Sequence, residues 1–398
     1  MKNNRIEFTN TLRGLAAVTV IIHHLMINFW TSPATICNLL HITSNQQVEL
    51  PLLVSILQCS PFYSGPGGTP SGTAMFFLIS GFIIPFALHK TTTLSFLMMR
   101  IFRLWPTYLV GFAISLLSLK LLSFYFDSSF YLNLKSILSN IFFVNAMLSE
   151  PSIDGINWSL AIQIKFYLLV AFMPFLIKKS SVYLLLLSTL FVAMNFFKIN
   201  FPSNLVAIVG DIKFSVVMIT YMLIGISFYM HYFKKITLST LVFNTFFILG
   251  CFFIQVKISP FFLHSNQHIL GFSTALILFS IFYTCHFIKF SVNEFLLKSK
   301  FFHIVIENVK RFLEQVAIIS YPLYVIHPIT GYAYLKVFMY YFNMPYLALI
   351  SCFLLISILA FLLHFLIEIP FNNLGKKIVL RISEIKYTKK SALENFST

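Results

Sequence analysis

Negative charge is scarce in this sequence: 12 Asp and Glu stand against 28 Lys and Arg in 398 residues. Charged residues of both signs make up only 10% of the chain and hydrophobic ones 58%, whereas soluble domains average about a quarter charged and about half apolar. That shortage excludes a water-soluble globule. Disorder is excluded as well, because disordered segments lack aromatics and this chain has 48 Phe. Its 5 cysteines show no metal-ligand spacing, and neither a Gly-rich phosphate loop nor an HExxH helix occurs. No internal repeat is visible. The first apolar run ends in Trp30-Thr31-Ser32-Pro33, without the small residues of a secretory cleavage site, so it is read as a retained span.

What the chain has is long apolar runs. Backbone polar groups cannot stay unpaired in lipid, so a span needs about 20 apolar residues in helical form. Ten runs qualify, at about 11–30, 73–89, 104–124, 159–177, 181–199, 214–233, 237–256, 268–288, 315–340 and 346–367. The expectation is an all-α integral membrane protein, a bundle of about ten transmembrane helices; continuous runs argue against a β-barrel of short alternating strands. Loops on one side hold 21 of the 28 Lys and Arg, among them Lys2, Arg5, Lys90, Lys178, Lys234, Lys289 and Lys298. Opposite loops hold only Lys135, Lys198, Lys213 and Lys257. By the positive-inside rule the first side, with both termini, is cytoplasmic. The net charge of +16 is therefore read as topology and attraction to anionic lipid, and no nucleic acid partner is expected.

Two longer outer segments remain, 31–72 and 125–157; within the second, Leu134 to Leu148 is apolar but too short to cross, and is read as interfacial or re-entrant. The chain divides into a membrane domain, 1–375, and a basic cytoplasmic tail, 376–398. Cys37 and Cys59 share the first outer loop and could pair, whereas Cys251, Cys285 and Cys352 fall in spans as packing residues.

Ionisable groups within spans are functional suspects, because lipid makes them expensive. Arg13 and His24 are eleven residues apart, three helical turns plus about 20°, so they share a face about 16 Å apart in depth. Either they line a passage, with Arg13 drawing an anionic group to its inner end and His24 handling a proton further out, or Arg13 is a membrane anchor and His24 a satisfied interior histidine. His23 points aside as a neighbour. Ser320, Tyr324, His327 and Gly331 recur on one helix face, and Pro322 and Pro328 each free a carbonyl that needs another partner. Asp154-Gly155-Ile156-Asn157 reads as a turn with a cap at Asn157 before interfacial Trp158. Gln163 and Tyr167 share a face; Lys165 is read as snorkelling outward. Ser80-Gly81 is a small step that permits close helix approach. Arg100 and Arg103, three apart, form a fork suited to phosphate or serve as positive-inside charges.

Taken in order, these segments resemble the membrane acyltransferase-three family, which includes bacterial O-antigen and exopolysaccharide O-acetyltransferases. Arg13 and His24 match its Arg-x10-His motif, Phe76 to Phe82 its Phe-Phe-x-x-Ser-Gly-Phe segment, and Arg100 with Arg103 its paired-arginine stretch. Trp158-Ser159-Leu160 is similar to its Trp-Ser-Leu element; Ser320 to Pro328 and Glu368-Ile369-Pro370-Phe371 match its closing pattern. One departure stands out: where the family has Glu after the Trp-Ser-Leu element, this chain has Gln163, which cannot ionise. The expectation is a membrane-only member, without the extra soluble domain that some relatives carry.

The resemblance implies transfer of an acyl group, most often acetyl, from cytoplasmic acetyl-CoA or another acyl-CoA to a sugar hydroxyl of a surface glycan or lipid-linked oligosaccharide, in the bacterial inner membrane. No permanently bound cofactor and no metal is expected. A thioester is already activated, so a base and good orientation suffice. His24 is the candidate base, since an imidazole near its ordinary value of about 6.5 is available neutral. His327 and Tyr324 are candidates to assist; Arg13, Arg100, Arg103 and Ser80 to hold the donor; Trp158, Ser159, Gln163 and Tyr167 to hold the acceptor. Hydropathy alone fits equally a polytopic glycan-lipid transporter or a polysaccharide polymerase.

Overall fold

A computed structural model describes residues 7–42, 51–58, 71–128, 130–197, 201–262, 265–287 and 300–396. Among them every regular element is a helix, the outcome that a chain with so few polar side chains reaches when each N–H and C=O must be paired within its own segment. In chain order the helices are α1 (Glu7–Thr31), α2 (Pro33–Leu40), α3 (Leu52–Gln58), α4 (Ser71–Lys90), α5 (Thr93–Tyr125), α6 (Leu134–Ile141) and α7 (Asn157–Phe172). There follow α8 (Val182–Phe196), α9 (Ser203–Tyr232), α10 (Leu238–Ile258), α11 (Ser265–Phe287), α12 (Lys300–Phe342), α13 (Pro345–Leu363) and α14 (Ile369–Phe396). Eight helical stretches are long and apolar enough to cross a membrane, and the protein is a multi-pass membrane protein. The runs expected at 159–177 and 181–199 form the shorter helices α7 and α8, of 16 and 15 residues. Helix α14 continues unbroken through the expected boundary at 375. Cys37 is buried on α2; Cys59, Lys2, Arg5, Lys198, Lys289 and Lys298 lie outside the described residues.

The core has two parts. One gathers aromatic side chains of α4, α9, α10 and α11, including Phe82, Tyr221, Phe252, Phe272 and Phe279; the other joins α1, α5, α12 and α13 through Leu25, Phe112, Ile326 and Cys352. Lipid is as apolar as leucine, so close packing rather than water exclusion must hold such helices together. The Ser80-Gly81 step does this where α4 crosses α9. A Cβ on Gly81 would stand 2.1 Å from the Met222 carbonyl oxygen, and one on Gly225 2.5 Å from that of Leu78. Outward-facing Leu186, Phe246, Leu354 and Ile358 are exposed, an apolar surface for lipid.

Two helices depart from α geometry. Residues Ile22–Asn28 of α1 form π-helical turns, and so do His364–Glu368 between α13 and α14. Such segments widen the helix by one residue per turn and often occur at functional sites. In the second, buried Glu368 pairs with His364 at 2.7 Å.

The segment before α7 folds back into the bundle. Tyr108 donates to the Asn140 carbonyl at 3.3 Å and Trp105 Nε1 to that of Ile141 at 3.1 Å. Tyr108 lies 17 residues before the end of α5, about 25 Å along the axis, so α6 folds back beside that helix. Helix α7 therefore starts well short of the C-terminal tip of α5, which accounts for its shortness. Its start is fixed by a buried amide network: Asn157 Nδ2 donates to Asn140 Oδ1 at 2.7 Å and to Asn145 Oδ1 at 2.9 Å. The cap read at Asn157 is instead supplied by Asp154, whose Oδ1 accepts from the N–H groups of Ile156 and Asn157, both at 3.0 Å. Burial pushes the Asp154 carboxyl up, and those same bonds oppose the shift. At the rim, a hydrogen bond from Lys135 and another from Ser136 hold Glu150 below the usual carboxylate range.

Candidate active site

Helices α1, α4, α5, α7 and α12 enclose a narrow cavity of about 80 Å³. Eight of the eleven residues singled out from sequence line it: Arg13, Ser80, Arg100, Arg103, Ser159, Gln163, Tyr167 and Tyr324. No Asp or Glu is among the described lining residues. Among the described residues Arg100 has no carboxylate partner: its guanidinium lies 5.1 Å from the Phe96 ring centre and 5.5 Å from that of Tyr167. Aromatic faces can carry a cation while leaving its N–H donors for another ligand. Tyr167 in turn donates to Gln163 Oε1 at 3.2 Å, so Gln163 serves here as an acceptor, which needs no ionised carboxylate.

A second cavity, about 340 Å³, adjoins the first and is lined by His23, His24, Gly155, Trp158 and His268, with Phe214, Phe261 and Phe262. Thr73 and Tyr324 line both. The Tyr324 hydroxyl bonds with Ser159 Oγ at 2.7 Å. Trp158 packs edge-on to Phe77 and Phe214, with ring centres 6.1 and 5.9 Å apart. Arg13 and His24 thus face the same interior, as their spacing predicts, although His24 lies in the π-helical part of α1 and not on a regular α-turn.

His24 Nδ1 is 2.8 Å from the Tyr332 hydroxyl. Its ring centre is 5.0 Å from that of His327, at 71°, and His327 is fully buried with Nδ1 2.8 Å from the Tyr324 carbonyl. The structure therefore brings together every residue named from the sequence: three arginines at one end, two imidazoles at the other, and Tyr324 between.

A family model described as an acyltransferase domain matches residues 6–368. The chain belongs to the acyltransferase-three family. No curated protein and no solved structure matches it. The family assignment makes this chain a membrane acyltransferase, and the matched span contains all eleven site residues, both cavities and both π-helical segments.

Sequence reasoning missed three contributors. Tyr332 holds His24, and Thr73 shares the wall between cavities; both are unremarkable hydroxyl residues in apolar helices. The third is Asp211. Lys165 does not snorkel: it forms an ion pair with Asp211 on α9 and donates to Ser215 Oγ at 2.8 Å. Lys165 and Asp211 each fall eight residues into their helices, at matching depth if both start on one side. That register, in a chain with so few acids, was the signal available.

Proposed function

We propose that this acyltransferase moves an acyl group, most simply acetyl, from cytoplasmic acyl-CoA to a hydroxyl of a surface or lipid-linked sugar, from the bacterial inner membrane. The observation that carries this reading is one cavity with three arginines and no carboxylate among its described lining residues, which meets a histidine chamber at Thr73 and Tyr324. Arginine forks suit the diphosphate of coenzyme A. The small volume of this cavity suits the thin pantetheine arm, with the nucleotide left at the arginine end. The larger chamber, with Trp158 on its wall, has the room and the aromatic surface that a sugar ring needs.

In the reaction, His24 with Nδ1–H donated to Tyr332 leaves Nε2 as the base. The acceptor O–H gives its proton to Nε2, the oxygen attacks the thioester carbonyl, and the C–S bond breaks. The leaving thiolate takes the proton back, so the enzyme ends unchanged. Tyr324, held by Ser159, is placed to donate to the carbonyl oxygen as negative charge develops there.

The test is transfer of labelled acetyl to glycan by membranes containing the protein, followed by mild alkali release. His24→Ala is expected to abolish ester formation while the protein remains folded in the membrane. Near-normal transfer by that variant would reject His24 as the base. Movement of intact lipid-linked sugar without donor consumption would replace the acyltransfer reading with transport.

A further inference from the structure

Pro328 follows His327 inside α12 and lies four residues after Tyr324. Proline has no backbone N–H, so the Tyr324 carbonyl loses the donor that an α-helix would supply. A carbonyl bared inside a membrane helix must find another partner. Here the partner is the His327 ring, with Nδ1 at 2.8 Å. A carbonyl only accepts, so the proton sits on Nδ1, and the other nitrogen of the neutral ring is bare. Nε2 of His327 is buried and has no hydrogen-bond partner among the described residues. The His24 ring stands 5.0 Å away, edge-on, a separation at which a ring N–H of one imidazole reaches a ring nitrogen of the other.

We infer that Pro328 is a positioning residue: by giving the Tyr324 carbonyl to His327, it keeps Nε2 of His327 as a lone pair reserved for His24 when His24 is protonated. This rests on the acyl-transfer reading above. Once the acceptor hydroxyl has passed its proton to His24, the new imidazolium N–H donates to that lone pair until the proton returns to the departing thiolate. A neutral acceptor steadies the cation without adding a fixed negative charge close to a cavity that must admit an anionic donor. His327 thereby acts through His24.

The experiment uses the full chain in lipid with ¹⁵N-labelled histidine, read by solid-state NMR, alongside donor KM and kcat. The expected wild-type signal for His327 is protonated Nδ1 with bare Nε2. Pro328→Ala restores a backbone N–H for the Tyr324 carbonyl, and alanine suits a helix, so the protein folds and His327 takes up Nε2–H as well. With the tautomer released, kcat falls about tenfold or more, the worth of one hydrogen bond to a charged ring, and donor KM stays. His327→Asn, which can still bond the carbonyl, is expected to lose kcat equally. Wild-type His327 protonated at Nε2 overturns the inference, as does Pro328→Ala with an unchanged tautomer or with a released tautomer and unaltered kcat. The tautomer is read without donor or acceptor, so failure of the acyl-transfer reading would leave that measurement standing and be recognised separately.

Discussion

Arg100 offers the sharpest test of how the donor is held. Its guanidinium rests against Phe96 and Tyr167, 5.1 and 5.5 Å from their ring centres, and no carboxylate is among the described residues that line the cavity beside it. A hydrogen bond to a charged group contributes about 1.5–3 kcal/mol, and each 1.4 kcal/mol is roughly a factor of ten. Arg100→Ala should therefore raise the KM for acyl-CoA by about 10- to 100-fold, with a smaller change in kcat. Arg100→Lys keeps the charge but gives up the planar fork and its stacking, and should recover only part of the loss. The assay is initial-rate transfer of labelled acetyl in membranes with two donors, acetyl-CoA and acetyl-pantetheine, which lacks the nucleotide and diphosphate. If Arg100 reads the phosphates, the variant and wild type differ with the first donor and converge with the second. An equal loss with both donors, or no loss with either, would refute the assignment.

Four further outcomes follow from the structure. Gln163→Glu preserves the acceptor that Tyr167 uses, so transfer should stay close to the wild-type rate; a large gain, measured in the same assay, would show that a proton-handling group is missing from this chain. Gly225→Ala forces a Cβ to within 2.5 Å of the Leu78 carbonyl oxygen, where backbone cannot swing aside, and should cost about 1–3 kcal/mol in detergent thermal stability. Gly250→Ala meets nothing within 4 Å and should raise stability by about 0.5–1 kcal/mol through helix propensity alone. Glu150 is held below the ordinary value of 4.5 by Lys135 and Ser136, so its stabilisation is present above that value and fades as pH falls through its own lower one. Over that acidic range the melting temperature of wild type should drop more steeply than that of Glu150→Gln; parallel curves would deny the ion pair a part in holding the outer segment.

Eight of the ten expected spans were legible because continuous apolar runs of helical length have one solution in lipid, and the shared interior of Arg13 and His24 because eleven residues nearly complete three turns. The π-helical turn through His24 was not legible, since periodicity arguments assume regular α-turns and nothing in Ile22-His23-His24-Leu25 announces the extra residue. Local signals also competed at the start of α7. Asn157 and Asp154 are both good caps by composition, and only the buried amides of Asn140 and Asn145, drawn in from a distant segment, decide that Asn157 joins a network and Asp154 takes the cap. Lys165 was misread for a related reason. A lone cation in a span is ordinarily a snorkeller, and its partner Asp211 lies on a helix 46 residues away.

Thr73 and Tyr324, which belong to both cavities, bear on a hazard for any enzyme that works across a bilayer. An uninterrupted watery bore would let protons run down the membrane potential, a drop of about 2.3 kcal/mol per charge for each 100 mV. On the proposed route, two chambers that meet at a pair of hydroxyl side chains would let an acyl group be handed over without one continuous bore. Insulating the cell and shaping the reaction would then fall to the same two side chains, and the bulk of group that can be passed would be tied to how closely they meet.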